Sequence, residues 1–116
     1  MTTPPDLADE VLKHLQQLEA KGSPGLASQV LAVFLRDTAL RLAALGDAIT
    51  RHDGHAVFRA AHTMQGSAAM VGAPSMARQC AELATVARAE DYDRCGAIVA
   101  DLVVSFQAIQ RAVTDR

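Results

Sequence analysis

The side chains able to do chemistry in this sequence are four histidines, two cysteines and a scatter of carboxylates. His52 and His55 stand three apart with Asp53 between them, and two imidazoles at that spacing can share a helical face and a metal ion. Asp53-Gly54 reads as a helix break, however, so no metal site is expected there. Glu82 with Glu90 and Asp91 suggests paired carboxylates for acid–base work, but charged residues at helix ends are ordinarily solvated. Cys80 and Cys95 lack CxxC spacing and are too few for a disulfide framework, so they read as small buried hydrophobes. His14 falls on a polar helix face and is expected to be solvated. That leaves His62. A neutral imidazole is a nucleophile able to accept a phosphoryl group.

Placing these groups requires the helices that carry them. Apolar residues recur at helical spacing along most of the chain, interrupted only by short clusters of Gly, Pro and polar residues. Asp6 is expected to cap a first, short helix through Val11, Leu12, Leu15 and Leu18, which Lys21-Gly22-Ser23-Pro24-Gly25 ends. Ser23 before Pro24 opens a long second helix with apolar positions at Leu31, Phe34, Leu42, Leu45 and Ile49. His52-Asp53-Gly54 breaks it, and Asp53 caps a third helix whose inner stripe is Val57, Ala61, Met64, Ala68 and Val71. Gly72 followed by Pro74 predicts a tight corner into a fourth helix, with Met76, Cys80, Leu83 and Ala87 inward. Beyond Glu90-Asp91, the fifth buries Cys95, Ile98, Leu102, Phe106, Ile109 and Val113. Short connections between long stripes predict an all-α fold: an up-down-up-down four-helix bundle with a short N-terminal helix packed across it. One domain is expected over residues 1–116, its bundle core spanning about 24–114.

On a helical wheel at about 100° per residue, His62 lies about 140° from the inner stripe of the third helix and therefore points outward. His55, Arg59, Gly66 and Ala69 share its outer side, with Phe58 and Gln65 at the boundary. Gly66 in mid-helix costs about 1 kcal/mol relative to Ala, and one gain that offsets this is close access to the imidazole.

Composition narrows the partners. The formal charge is −2 and there is no Trp and one Tyr, so neither a basic field nor stacking platforms for nucleic acid are present. No apolar run is read as approaching the roughly 18 residues of a membrane span, and MTTPPDLADE lacks the pattern of a signal peptide. A cytoplasmic monomer is expected. The Met start and the Thr114-Asp115-Arg116 end without a linker favour a free-standing protein.

The local sequence Ala61-His62-Thr63-Met64-Gln65-Gly66-Ser67-Ala68-Ala69-Met70-Val71-Gly72-Ala73 resembles the phosphohistidine signature of histidine-containing phosphotransfer (HPt) domains, whose usual form is close to AHxLKGSAxxLGA. Val33-Phe34-Leu35-Arg36-Asp37, Gln79-Cys80-Ala81-Glu82-Leu83 and Ala87-Arg88 also resemble family pattern. The resemblance implies a phosphocarrier that receives a phosphoryl group on His62, through Nε2, from the aspartate of a receiver domain and passes it to another receiver. It implies response-regulator receivers and a sensor (hybrid) histidine kinase as partners. It implies no intrinsic cofactor, since Mg²⁺ would come with the receiver, and no ATP-using activity, consistent with the lack of a P-loop or kinase Gly-rich loop. Gln65, Gly66, Arg59, Ser67, Ala69 and Arg88 become the expected phosphoryl-supporting or docking residues.

Two positions depart from the family pattern. Gln65 stands where the family usually has a Lys that steadies the phosphoryl group, which keeps a hydrogen-bond donor but removes the charge. Ala84 stands where many members carry a Glu or Gln that holds the histidine Nδ1. Arg59 and Arg88 are the candidates to compensate. The alternative reading is a non-catalytic HPt-like module that docks on a receiver or kinase without carrying phosphate.

Overall fold

The computed structural model describes residues 7–21 and 25–114 and contains, among them, α1 (Leu7–Ala20), α2 (Leu26–Thr50), α3 (Gly54–Met70), α4 (Pro74–Arg88) and α5 (Tyr92–Thr114). The expected caps Asp6, Ser23 and Pro24, and the side chain of Leu18, lie outside the described residues. Each of α2 to α5 packs on the next, and α5 closes back onto α2, so four stripes face one core. At about 1.5 Å per residue, the 25 residues of α2 span roughly 37 Å of a body measuring 45 × 24 × 19 Å. The helix α1 lies across α2 and α5, with Val11 and Leu15 buried.

The expected stripes of α3, α4 and α5 are buried, apart from Val113, which is half-buried. In α2 the register differs. Leu42 and Ile49 only flank the core, whereas Thr38 and Ala48 lie within it beside Leu31, Phe34 and Leu45. Thr38 completes the i, i+3, i+7 series but is polar, so apolar periodicity alone passes over it. Ser105 is likewise buried, on α5, and its hydroxyl donates to Gln79 Oε1 of α4 at 2.9 Å. That bond satisfies a polar group inside the α4–α5 seam.

The three corners of the bundle share one geometry. After α3, the Gly72 N–H donates to Ala69 O at 3.1 Å and the Ala73 N–H to Ala68 O at 2.9 Å, the paired bonds of a Schellman ending, with Gly72 at φ 77°. The same two bonds recur at His52-Asp53 after α2 and at Glu90-Asp91 after α4, with His52 at φ 56° and Glu90 at φ 57°. A non-Gly residue in this conformation costs on the order of 1–2 kcal/mol, and at His52 the surroundings hold it. The His52 ring stacks on Tyr92 with centroids 4.4 Å apart, while the Tyr92 hydroxyl donates to His52 O at 2.9 Å. One tyrosine thus ties the α2–α3 corner to the α4–α5 corner at the same end of the bundle. Asp53 caps α3 as expected, accepting from Ala56 N at 3.1 Å.

At the opposite end the structure corrects the reading of His14 as a solvated residue. It is half-buried, its Nε2 is 3.0 Å from Met70 O, and its side chain covers Gly72 so closely that a Cβ there would lie 2.5 Å from His14 Cβ. The last turn of α3 leaves carbonyls without intrahelical partners, and an imidazole from α1 meets one of them. A second correction concerns α5, which by length and composition alone is apolar enough to cross a membrane. Its sequence interleaves Ser105, Gln107 and Gln110 with the apolar residues, so no unbroken run is visible; its apolar stripe is spent on the bundle core.

Cys80 and Cys95 are free, fully buried thiols. Burial pushes the Cys80 thiol up to about 12, and burial followed by the charge of Asp91 raises that of Cys95. The folded state therefore keeps the Cys80 proton while the unfolded chain releases it above about pH 9, so this contribution to stability is complete below pH 9 and is lost as pH rises toward 12. We expect both thiols to resist iodoacetamide at pH 8 until the protein is denatured. Between pH 8.5 and about 10.5 the melting temperature should fall more steeply for the wild type than for Cys80→Ala, and equal slopes would contradict the assignment.

Candidate functional site

The residue at the midpoint of α3 is His62, eight positions from either end of a helix spanning Gly54–Met70. Val57, Ala61, Met64 and Ala68 are at most 1% exposed, and this buried stripe turns the opposite side of α3 to water. His62 is exposed there, as are His55, Arg59, Gly66 and Ala69, while Phe58 and Gln65 are half-buried on the shoulder. The outer face expected from the wheel is the one observed.

Access to the imidazole is open on its C-terminal side. A Cβ built on Gly66 meets no atom within 4 Å, and Ala69 presents only a methyl group one turn further on. Met70, 67% exposed, adds an apolar edge to the same surface. On the N-terminal side the His62 ring lies nearly parallel to Phe58, with centroids 6.0 Å apart and planes 9° apart. The guanidinium of Arg88, from the last turn of α4, sits over that same Phe58 ring at 4.8 Å from its centroid. A cleft of about 450 Å³ is lined by Phe58, His55, Arg88 and Tyr92 among others.

The candidate residues thus separate into two sets. Gly66 and Ala69 share the exposed face of His62, Arg88 contacts the Phe58 ring that stacks beside His62, and Gln65 lies on the half-buried shoulder of α3. Arg59 is exposed one turn before His62, and among the described residues no hydrogen bond or ring contact ties it to the imidazole. Ser67 is not part of the cluster. Its position five residues on carries it about 140° around the helix from His62, and its hydroxyl donates to Thr63 O at 3.2 Å. Ala84 is buried and offers no polar atom from its side chain, and among the described residues neither nitrogen of His62 has a hydrogen-bond partner. The contribution of Phe58 was legible only as a boundary position on the wheel; that it bridges His62 and Arg88 depends on the α3–α4 packing.

For metal chemistry, no group of three or more His, Cys, Asp or Glu side chains is placed to hold an ion among the described residues. His52 is committed to Tyr92 and Asp53 to the α3 cap. Arg94 pairs with Glu82 at 3.2 Å, which occupies one of the carboxylates that the sequence offered for acid–base work.

With this geometry in hand, comparison with known proteins is specific. The profile of the Hpt domain family matches residues 29–114. Histidine-containing phosphotransfer protein 2 of Arabidopsis thaliana is 24% identical over 110 residues, covering 92% of this chain and 70% of that protein. The crystal structure of histidine-containing phosphotransfer protein B (HptB) from Pseudomonas aeruginosa PAO1 matches with a TM-score of 0.78 at 26% identity, over 97% of this chain and 96% of that one.

The open space at Gly66 separates stability from access. Gly66→Ala and Gly66→Leu should both fold, with melting temperatures equal to or above wild type, because Gly is the poorer helix former by about 1 kcal/mol. Phosphoryl transfer from a receiver should fall steeply in Gly66→Leu and less in Gly66→Ala, since the reacting atoms must approach to about 3–3.5 Å. Unfolding of Gly66→Leu would place Gly66 against another helix, and wild-type transfer rates would move the docking surface elsewhere.

Proposed function

This chain belongs to the Hpt domain family, and from that premise we propose that it is a phosphorelay intermediate carrying a phosphoryl group on His62 Nε2 between receiver-domain aspartates. The observation that supports this most is the exposed His62 at mid-α3, open over Gly66 and lying within the residues 29–114 that match the family. The other histidines of the described chain have different surroundings. His14 is bound to the α3–α4 corner and His52 is stacked on Tyr92, while His55 lies in the first turn of α3.

In the forward step the Nε2 lone pair attacks the phosphorus of a receiver aspartyl phosphate. The N–P bond forms as the acyl O–P bond breaks, and its electron pair returns to the aspartate as carboxylate. Nδ1 keeps its proton, so the ring carries positive charge beside the phosphoryl oxygens until that proton leaves to water. The return step is the reverse, onto the aspartate of another receiver. Such transfer is mostly positioning and charge neutralisation, and the receiver supplies Mg²⁺ and its own lysine. On this reading the protein is a cytoplasmic phosphocarrier, working as a monomer with receivers and a sensor (hybrid) histidine kinase, without ATP chemistry of its own.

The deciding experiment incubates the protein with a phosphorylated receiver and follows acid-labile, alkali-stable phosphate. Label should appear on the wild type and vanish in His62→Gln, whose unfolding free energy should stay within about 0.5 kcal/mol of wild type because the side chain is outside the core. Label remaining on His62→Gln would move the site; receiver binding without any label would favour a docking module that carries no phosphate.

Gln65→Lys tests the missing charge. A lysine there adds a charge-assisted bond to the phosphoryl oxygens, worth about 0.2–1 kcal/mol on an exposed surface, so transfer rate or phosphohistidine lifetime should rise by up to about fivefold. No change in either would show that position 65 does not reach the phosphoryl group.

A further inference from the structure

We propose that Phe58 is a positioning residue for the phosphoryl site: its ring sets the plane of the His62 imidazole and engages the Arg88 guanidinium of α4. The inference rests on His62 being the carrier and goes beyond it by assigning what orients the imidazole in this chain.

An exposed imidazole on a helix is free to change rotamer unless something fixes it, and a nucleophile whose lone pair wanders reacts slowly. Hydrogen bonding does not fix this one, since among the described residues neither ring nitrogen is bonded and Ala84 has no polar side-chain atom to offer. What touches the ring is Phe58, one turn earlier on the same face of α3, with centroids 6.0 Å apart and planes 9° apart. Phe58 is itself half-buried and packs against the core, so its ring is less free than the one it faces. A parallel neighbour restricts the tilt of the imidazole while leaving both nitrogens uncovered. Nε2 stays available as nucleophile.

The same ring has a second occupant. Arg88 Cζ lies 4.8 Å from the Phe58 centroid, within the range in which the negative face of an aromatic ring attracts a cation. Among the described residues Arg88 has no carboxylate partner, whereas Arg41, Arg51 and Arg94 each do. Its charge is therefore held by an apolar group rather than neutralised, and it stays available to an anion arriving at His62. Gln65 supplies no charge of its own, which makes this retained cation the more consequential.

The test uses the full chain, with phosphoramidate as a small-molecule phosphoryl donor so that no partner is needed. In the wild type, NMR Hα–Hβ couplings of His62 should show one dominant rotamer, with NOEs between the two rings. Averaged couplings in the wild type would overturn the proposal by themselves, whatever the variants do. Phe58→Leu should stay folded with a modestly lower melting temperature, show averaged His62 couplings and accept phosphate about tenfold more slowly. Phe58→Tyr should retain both the rotamer and most of the rate. Arg88→Gln, at an exposed position, should slow labelling severalfold and flatten its salt dependence, and Arg88→Lys should recover part of both. Phe58→Leu labelling at the wild-type rate, or Arg88→Gln with unchanged rate and salt dependence, would sink the positioning role while leaving His62 as carrier. A wild type that phosphoramidate does not label on His62 would sink the carrier reading itself.

Discussion

Val57, Ala61, Met64 and Ala68 have essentially no contact with water, and they all lie on one side of α3. Turning α3 by even one residue's worth of rotation, about 100°, would expose part of this stripe and drive polar side chains into the core. The orientation of the helix is thus determined by its buried face, and the outward direction of His62 follows from that burial. Nothing at the imidazole needs to hold the helix in place. A surface nucleophile positioned this way can tolerate substitution around it without cost to the fold, provided the inner stripe is left alone.

The corners extend the same logic along the helix axis. Each end of α3 is pinned by something distant in sequence: Tyr92 at the His52 corner, and His14 at Gly72. His62 sits eight residues from both, roughly 12 Å at the helical rise. Two non-Gly residues in the left-handed conformation are accepted at the corners because Schellman bonds and, for His52, stacking on Tyr92 offset their conformational cost. Fixing both ends leaves the middle of α3 as a rigid, exposed rod, which suits a partner that must bring its own reacting group to a defined point in space.

Most of this was legible in the sequence. Period and turn chemistry gave the helix order, the Gly72-Pro74 corner, the Asp53 cap and the outward face of α3, because each is a local consequence of residue type. Contacts between residues far apart in sequence were not legible. Nothing about His14 signals that it covers Gly72, since on its own helix it occupies a polar face and its partner lies 58 positions away. Thr38 and Ser105 entered the core against their polarity, one by register and the other by pairing with Gln79. Ser67 entered the expected site through its place in the family signature and not through the wheel, and its hydroxyl is turned back to Thr63.

The site shows the same division. Its exposed residues could be named from α3 alone, whereas the feature that orders them requires α4. Phe58 looked like a boundary hydrophobe, and Arg88 like one of several arginines; only the α3–α4 packing puts the guanidinium and the imidazole on one aromatic ring. The two departures from the family pattern, Gln65 and Ala84, then have a common physical consequence. Gln65 removes a charge and Ala84 a polar side-chain group from the surroundings of His62, and the Phe58 ring is the neighbour that the imidazole and the Arg88 guanidinium share. Because dispersion and quadrupole attraction are less directional than a hydrogen bond, such an arrangement holds the plane of the imidazole more firmly than its rotation within that plane.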